Sequence, residues 1–165
     1  MLRLAVLGIG AALVLSVSSP TAAREPVFRV SLQRTPCFGA CPVYTVSVTG
    51  DRRVVFVGRR FVDAVGVRRA RLSPRRFARL RAAVTAARVF TLRSRYDEML
   101  VTDLPSSILT VRVGPRRKRI YRYHGDRSAP ERLRLLECQI DRLARTSRWV
   151  GKPTTSYCRI EIRSD

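Results

Sequence analysis

Cys37 and Cys41 stand four residues apart around Phe38-Gly39-Ala40, the spacing in this chain best suited to chemistry between two side chains. In an oxidising compartment such a pair closes a small ring and holds a turn between strands, with Gly39 supplying the backbone freedom the ring needs. The rival reading is a thiol–disulfide couple or redox sensor, which the C-x3-C spacing and the missing βαβ context argue against. Zinc would need ligands the chain lacks, because its single histidine, His124, lies far from the pair and only Cys138 and Cys158 remain. No metal site and no cofactor are therefore expected.

On a helical wheel Cys138 falls about 140° from Leu133, away from the apolar stripe of its own segment. An exposed thiol outside the cytoplasm calls for a partner, and Cys158 on the C-terminal tail is the obvious one. A bond between them would pin the tail, residues 149–165, across the outer side of that helix and contribute about 3 kcal/mol through loop closure. His124 sits in a His-Gly-Asp turn and reads as a solvated loop residue. Asp97, Glu98 and Asp103 form the acidic cluster between the two helical segments. In so basic a chain arginine partners are the expectation, with a carboxylate pair or cation site as the sharper alternative. Phosphate-binding glycine loops, G-x-S-x-G and H-E-x-x-H are absent from the sequence, so no catalytic residues are assigned and a non-enzymatic role is expected.

The run Arg34-Thr35-Pro36-Cys37-Phe38-Gly39-Ala40-Cys41-Pro42-Val43-Tyr44 resembles the C-F-G-x-C-P-x-Y signature of an uncharacterised bacterial family of exported domains of unknown function. Phe38, Gly39, Pro42 and Tyr44 carry the resemblance together with the cysteines. It continues through Tyr96-Asp97 and through a Thr-Asp-x-Pro element that contains Asp103 and Pro105, so it covers residues 27 to 145. The resemblance implies an exported domain and supplies no activity. Cys138 and Cys158 are not in the signature, which makes the second pair a local addition.

The formal net charge is +21, from 33 Lys and Arg against 12 Asp and Glu. Only Lys118 and Lys152 are lysines and asparagine is absent, a skew that codon pressure in a GC-rich genome produces on a solvated surface. The functional alternative is an anionic partner held by the bidentate guanidinium fork. Candidates are Arg75, Arg76 and Arg79 on a helix face, and Arg116 and Arg117 at a hairpin. An anionic envelope lipid, a glycan or an acidic protein would suit them. Export and the lack of an aromatic stacking platform argue against nucleic acid.

The elements that must position these residues are short. Val27 to Leu32, Val43 to Val48 and Val54 to Val57 read as strands, the last two joined at Gly50-Asp51, and Val62 to Val67, with an extension to Leu72, reads as a further extended piece. Ser73-Pro74 opens a helix to Ala87 with Phe77, Leu80, Val84 and Ala87 on one side. Ile108 to Val113 and Lys118 to Tyr123 form a second hairpin around Gly114-Pro115. Ser128 and Glu131 make a capping box for a second helix, whose stripe is Leu133, Leu136, Ile140 and Leu143. This pattern predicts an α+β fold, an antiparallel sheet with two helices packed on one face, arranged as two ββα-type repeats.

Ahead of all this, Arg3, the apolar run Leu4 to Val17 and the small residues to Ala23 have the layout of a secretory signal. The run is shorter than the roughly 20 residues a spanning helix needs, so no permanent membrane span is expected. The expected organisation is a signal peptide at 1–23, one domain at 24–148 and a disulfide-pinned tail at 149–165, the whole periplasmic or secreted.

Overall fold

The computed structural model describes residues 27–98 and 103–151. The signal peptide, Cys158 and residues 152–165 of the tail lie outside the described residues. Four strands come first: β1 (Phe28–Arg34), β2 (Val43–Thr49), β3 (Arg53–Arg60) and β4 (Gly66–Arg71). Helix α1 (Pro74–Ala86) follows, then a short 3-10 turn at Val89–Thr91, β5 (Arg95–Tyr96), β6 (Ser106–Val113), β7 (Arg116–Tyr123), α2 (Glu131–Ala144) and α3 (Ser147–Val150). The seven strands form one sheet in the order β4-β3-β2-β1-β6-β7-β5, antiparallel throughout except where β5 lies parallel to β7.

Period-two patterning decides which way each strand faces. Along β1, Phe28, Val30, Leu32 and Arg34 are buried and the residues between them are not. Their cross-strand partners continue that face: Val30 meets Val48 and Val111, and Leu32 meets Val46 and Leu109. Leu80 and Val84 of α1 and Leu133, Leu136, Ile140 and Leu143 of α2 close over it. Trp149 stacks on Phe56 at 5.0 Å between centroids, so packing runs on into the segment assigned to the tail. This is an α+β fold with the helices on one face of the sheet. A fourth strand stands between the first hairpin and its helix, while the second hairpin leads directly to α2. Among the described residues no helix is long and apolar enough to cross a membrane.

Three local expectations are corrected. Residues 61–64 bend and the strand starts at Gly66. The β3–β4 turn places Phe61 at φ 54° and Gly66 at φ 87°, and Ala64 N–H donates to the Trp149 carbonyl at 2.8 Å, drawing the segment towards α3. The capping box is not formed, because α2 begins after Pro130 with no side-chain cap. Ser128 is already used: its N–H donates to Asp126 at 2.7 Å and its hydroxyl accepts from Arg93 at 2.9 Å. His124 is not a solvated loop residue but lies against two buried arginines. At α1, by contrast, Ser73 accepts from Arg76 N–H at 3.3 Å with Pro74 at the first position, as the sequence predicts.

Candidate functional site

One rung of the sheet departs from the apolar pattern. Arg34 pairs with Tyr44 on β2 and with Ser107 on β6, and Ser107 pairs with Arg122 on β7. Four polar residues thus stand in line across β2-β1-β6-β7, on the face that elsewhere in β1, β2 and β6 receives the core. Helix α2 meets this rung with Glu137 and Asp141, one turn apart and on one side of the helix.

The six side chains bond to one another, with Thr146 and His124 completing the set. Glu137 accepts from Arg34 at 3.0 Å, from Arg122 at 2.8 and 3.1 Å and from the Ser107 hydroxyl at 2.6 Å. Asp141 accepts from Arg34 at 3.0 Å, from the Tyr44 hydroxyl at 2.8 Å and from the Thr146 hydroxyl at 3.0 Å. His124 Nε2 lies 3.3 Å from both guanidiniums and serves as their shared acceptor, which puts its proton on Nδ1. Arg34, Arg122 and Glu137 are all 1–2% exposed. Two guanidiniums and two carboxylates balance, which is the condition for holding such charges out of water.

The electrostatics follow. Burial works against ionising Glu137, but Arg122 and Arg34 outweigh it and hold its pKa at about 2. Burial, and then the charge of the same two arginines, lowers His124 to about 3, so it is neutral at physiological pH. Burial and the neighbouring Asp141 carboxylate raise Tyr44 well above the usual phenol range. Both carboxylates are taken up by buried donors, and the imidazole is turned inward. The network acts as an ionic lock: Glu137 and Asp141 tie α2 to Arg34 on β1, and Glu137 ties it also to Arg122 on β7.

The resemblance-bearing residues surround this lock at one end of the sheet. Cys37 and Cys41 are bonded, with Cα atoms 5.7 Å apart, and Gly39 takes φ 143° inside the ring. The ring and the residues before it are tied to the segment that leads into β6, because Phe38 N–H donates to the Asp103 carbonyl at 3.1 Å and Thr35 N–H to the carbonyl of Ser106, the first residue of β6, at 3.0 Å. The carbonyl of Pro105 accepts from His124 N–H at 3.0 Å. Pro42 and Tyr44 are buried, whereas Phe38 is 89% exposed at the tip of the loop. Tyr96 stands apart on β5, its hydroxyl accepting from Arg93 N–H at 3.1 Å. Asp97 pairs with Arg95 and Glu98 with Arg93, the arginine partners expected of the acidic cluster. Among the described residues no group of three or more potential ligands could hold a metal ion. No described cysteine is free; Cys138 is disulfide-bonded, and Cys158 lies outside the described residues.

Removing the ring by C37S/C41S is expected to cost about 2 kcal/mol, the loop-closure entropy of so short a span. Urea denaturation measures it. Equilibration against glutathione buffers should leave the native bond oxidised, as for a structural disulfide.

The five arginines picked from the sequence do not converge. Arg75 and Arg79 are exposed on α1, Arg76 reaches the Leu143 carbonyl at 3.4 Å, and Arg116 lies 4.1 Å over the Phe90 ring. Only Arg117 joins a larger array, on the far face of the sheet, over which no described element packs. There Arg53 pairs with Arg71, Arg29 with Thr49 and Arg112, and Arg112 with Arg117, with Thr49 beside Arg53 at the hairpin. Arg71, Arg53, Arg29, Arg112 and Arg117 make one exposed row across six strands. Behind it the middle of the face is lined by Ser47, Ser31 and Thr110, flanked by Arg69 and Arg119.

These parts define a small disulfide-bonded α+β domain with a closed ionic interior and a basic sheet face over which no described element packs. Over residues 28–144 the chain matches the family described as Domain of unknown function (DUF6438), and it belongs to that family. No curated protein matches it.

Proposed function

We propose that this is an exported, non-catalytic domain that binds an anionic component of the cell envelope through the uncovered face of its sheet. The row of five arginines carries the reading. Six strands at about 4.8 Å spacing make that row roughly 24 Å long. A straight line of guanidiniums suits an extended anionic glycan better than a flat lipid surface, because a twisted sheet touches a plane at few points. The export signal and the disulfide-closed ring support an envelope setting. Inside the fold, the ionic lock fixes the scaffold on which the row is displayed.

The test compares two variants of equal charge on immobilised heparin. One replaces the row arginines, Arg29, Arg53, Arg71, Arg112 and Arg117, by glutamine. The other replaces Arg75, Arg79, Arg81, Arg132 and Arg142, exposed on the helices. The row variant should elute at clearly lower salt than the helix variant. Equal elution, or no retention of the native protein above about 0.15 M salt, would reduce the charge to surface composition. Stronger retention on phosphatidylglycerol vesicles than on heparin would assign the face to lipid.

The second reading, a redox role for Cys37 and Cys41, is favoured by the incomplete burial of both residues. A bond that cycles in the glutathione buffers described above would support it over the structural role.

A further inference from the structure

We infer that a cleft at the hairpin end of the basic face is a site for a phosphate monoester; the inference rests on the envelope-glycan reading above. The cleft measures about 460 Å³ and is lined by Arg29, Arg53 and Arg112 with Thr49, Gly50 and Asp51 among its walls. Like charges directly opposite each other on a sheet repel and destabilise it. Yet Arg112 stands opposite Arg29 on one side and Arg117 on the other. Among the described residues none of these three forms an ion pair with a carboxylate. The arrangement works against folding, and an anion seated between the guanidiniums would relieve it.

The charge of the cleft points to the ligand class. Asp51 pairs with Arg53 at 3.2 Å, so three guanidiniums and one carboxylate leave two positive charges. A phosphate monoester carries about −1.5 to −2 at neutral pH, whereas a diester or a carboxylate carries a single charge. Guanidinium forks grip such a group bidentately. Asp51 also fits a sugar. Its Oδ1 accepts from the Thr49 hydroxyl and from Arg53 N–H, and its Oδ2 faces the Arg53 guanidinium. A carboxylate has about four acceptor positions, so Oδ2 keeps one for a sugar hydroxyl beside the phosphate. A phosphorylated sugar of an envelope glycan satisfies both features.

The protein, expressed with its own N-terminus into an oxidising compartment, is titrated at low salt with glucose 1-phosphate, inorganic phosphate and dimethyl phosphate, following amide resonances. Glucose 1-phosphate should bind about tenfold more tightly than dimethyl phosphate, with shifts centred on Arg29 and Gly50. R29Q and R112Q should each weaken it by about tenfold, while R69Q and R119Q, on the same face outside the cleft, leave it unchanged. The native protein should also prefer glucose 1-phosphate to inorganic phosphate through the Asp51 contact, and D51N should abolish that preference. Equal affinity for dimethyl phosphate, or no loss in R29Q and R112Q, overturns the site. Binding to phosphatidic acid vesicles without binding to glucose 1-phosphate overturns the sugar. If heparin retention persists while glucose 1-phosphate fails to bind, the cleft falls and the basic face stands. If row-dependent heparin retention is lost as well, the proposed function itself fails.

Discussion

Replacing Glu137 by alanine is expected to remove about 3–5 kcal/mol of stability, a large share of the roughly 5–15 kcal/mol that a domain possesses. The size comes from the charges left behind. Glu137 is the only carboxylate in hydrogen-bond contact with Arg122 among the described residues, and it shares Arg34 with Asp141. Its loss takes away a carboxylate to which two buried guanidiniums donate, Arg122 at 2% exposed and Arg34 at 1%. The double variant R122M/E137L removes one charge of each sign and is expected to lose less than E137A alone, because a buried pair replaced by apolar groups of similar volume costs little. Urea denaturation of both variants at neutral pH decides it. An E137A variant within about 1 kcal/mol of the native protein would mean that the lock does not hold α2 on the sheet.

The second large effect is a loss of stability on mild acidification, set by His124. Its folded pKa of about 3 lies below its ordinary value of 6.5. Between those values the unfolded chain takes up a proton that the folded protein refuses. Protons then favour unfolding, so stability falls as pH falls through this window, by about 1.4 kcal/mol per unit. Glu137 acts lower down. Its folded pKa of about 2 lies below 4.5, so its contribution is complete above 4.5 and is lost as pH falls from there towards 2. Denaturation at pH 7, 6 and 5 therefore isolates the histidine, and should show a loss of about 2 kcal/mol between pH 7 and 5. H124Q, which keeps an acceptor for the two arginines, should flatten that interval and leave the steeper loss below 4.5. An unchanged profile in H124Q would place the acid sensitivity elsewhere.

Both effects arise from residues whose role the sequence understates, although traces are there. Arg34 and Arg122 fall in phase with the core-facing residues of their strands, two places beyond Leu32 and Ile120. Glu137 and Asp141 follow Leu133 at successive turns, on the border of the apolar stripe. Read strand by strand, an arginine at the end of a run looks like a solvated terminus. Its burial depends on a partner 103 residues away, and no local pattern carries that distance. His124 looks solvated in sequence for the same reason, since one of the two guanidiniums that cover it, Arg34, comes from a strand 90 residues away.

Other features were local and therefore legible. Alternation set the strands and their inward faces, helical spacing set the stripes of α1 and α2, and Ser73-Pro74 set a helix start, because each depends on residues within one or two turns of each other. The ring at Cys37 and Cys41 was legible too, since four residues of chain hold its ends within reach whatever the fold. Register was not. The basic row exists because β1 places Arg29 opposite both Thr49 and Arg112, and a shift of one residue on either strand would turn its arginines to the other face. The amino-acid sequence by itself thus determined the class of fold, the disulfide ring and an excess of arginine. Which arginines lie locked inside and which stand together outside was decided only by long-range strand pairing and the seating of α2.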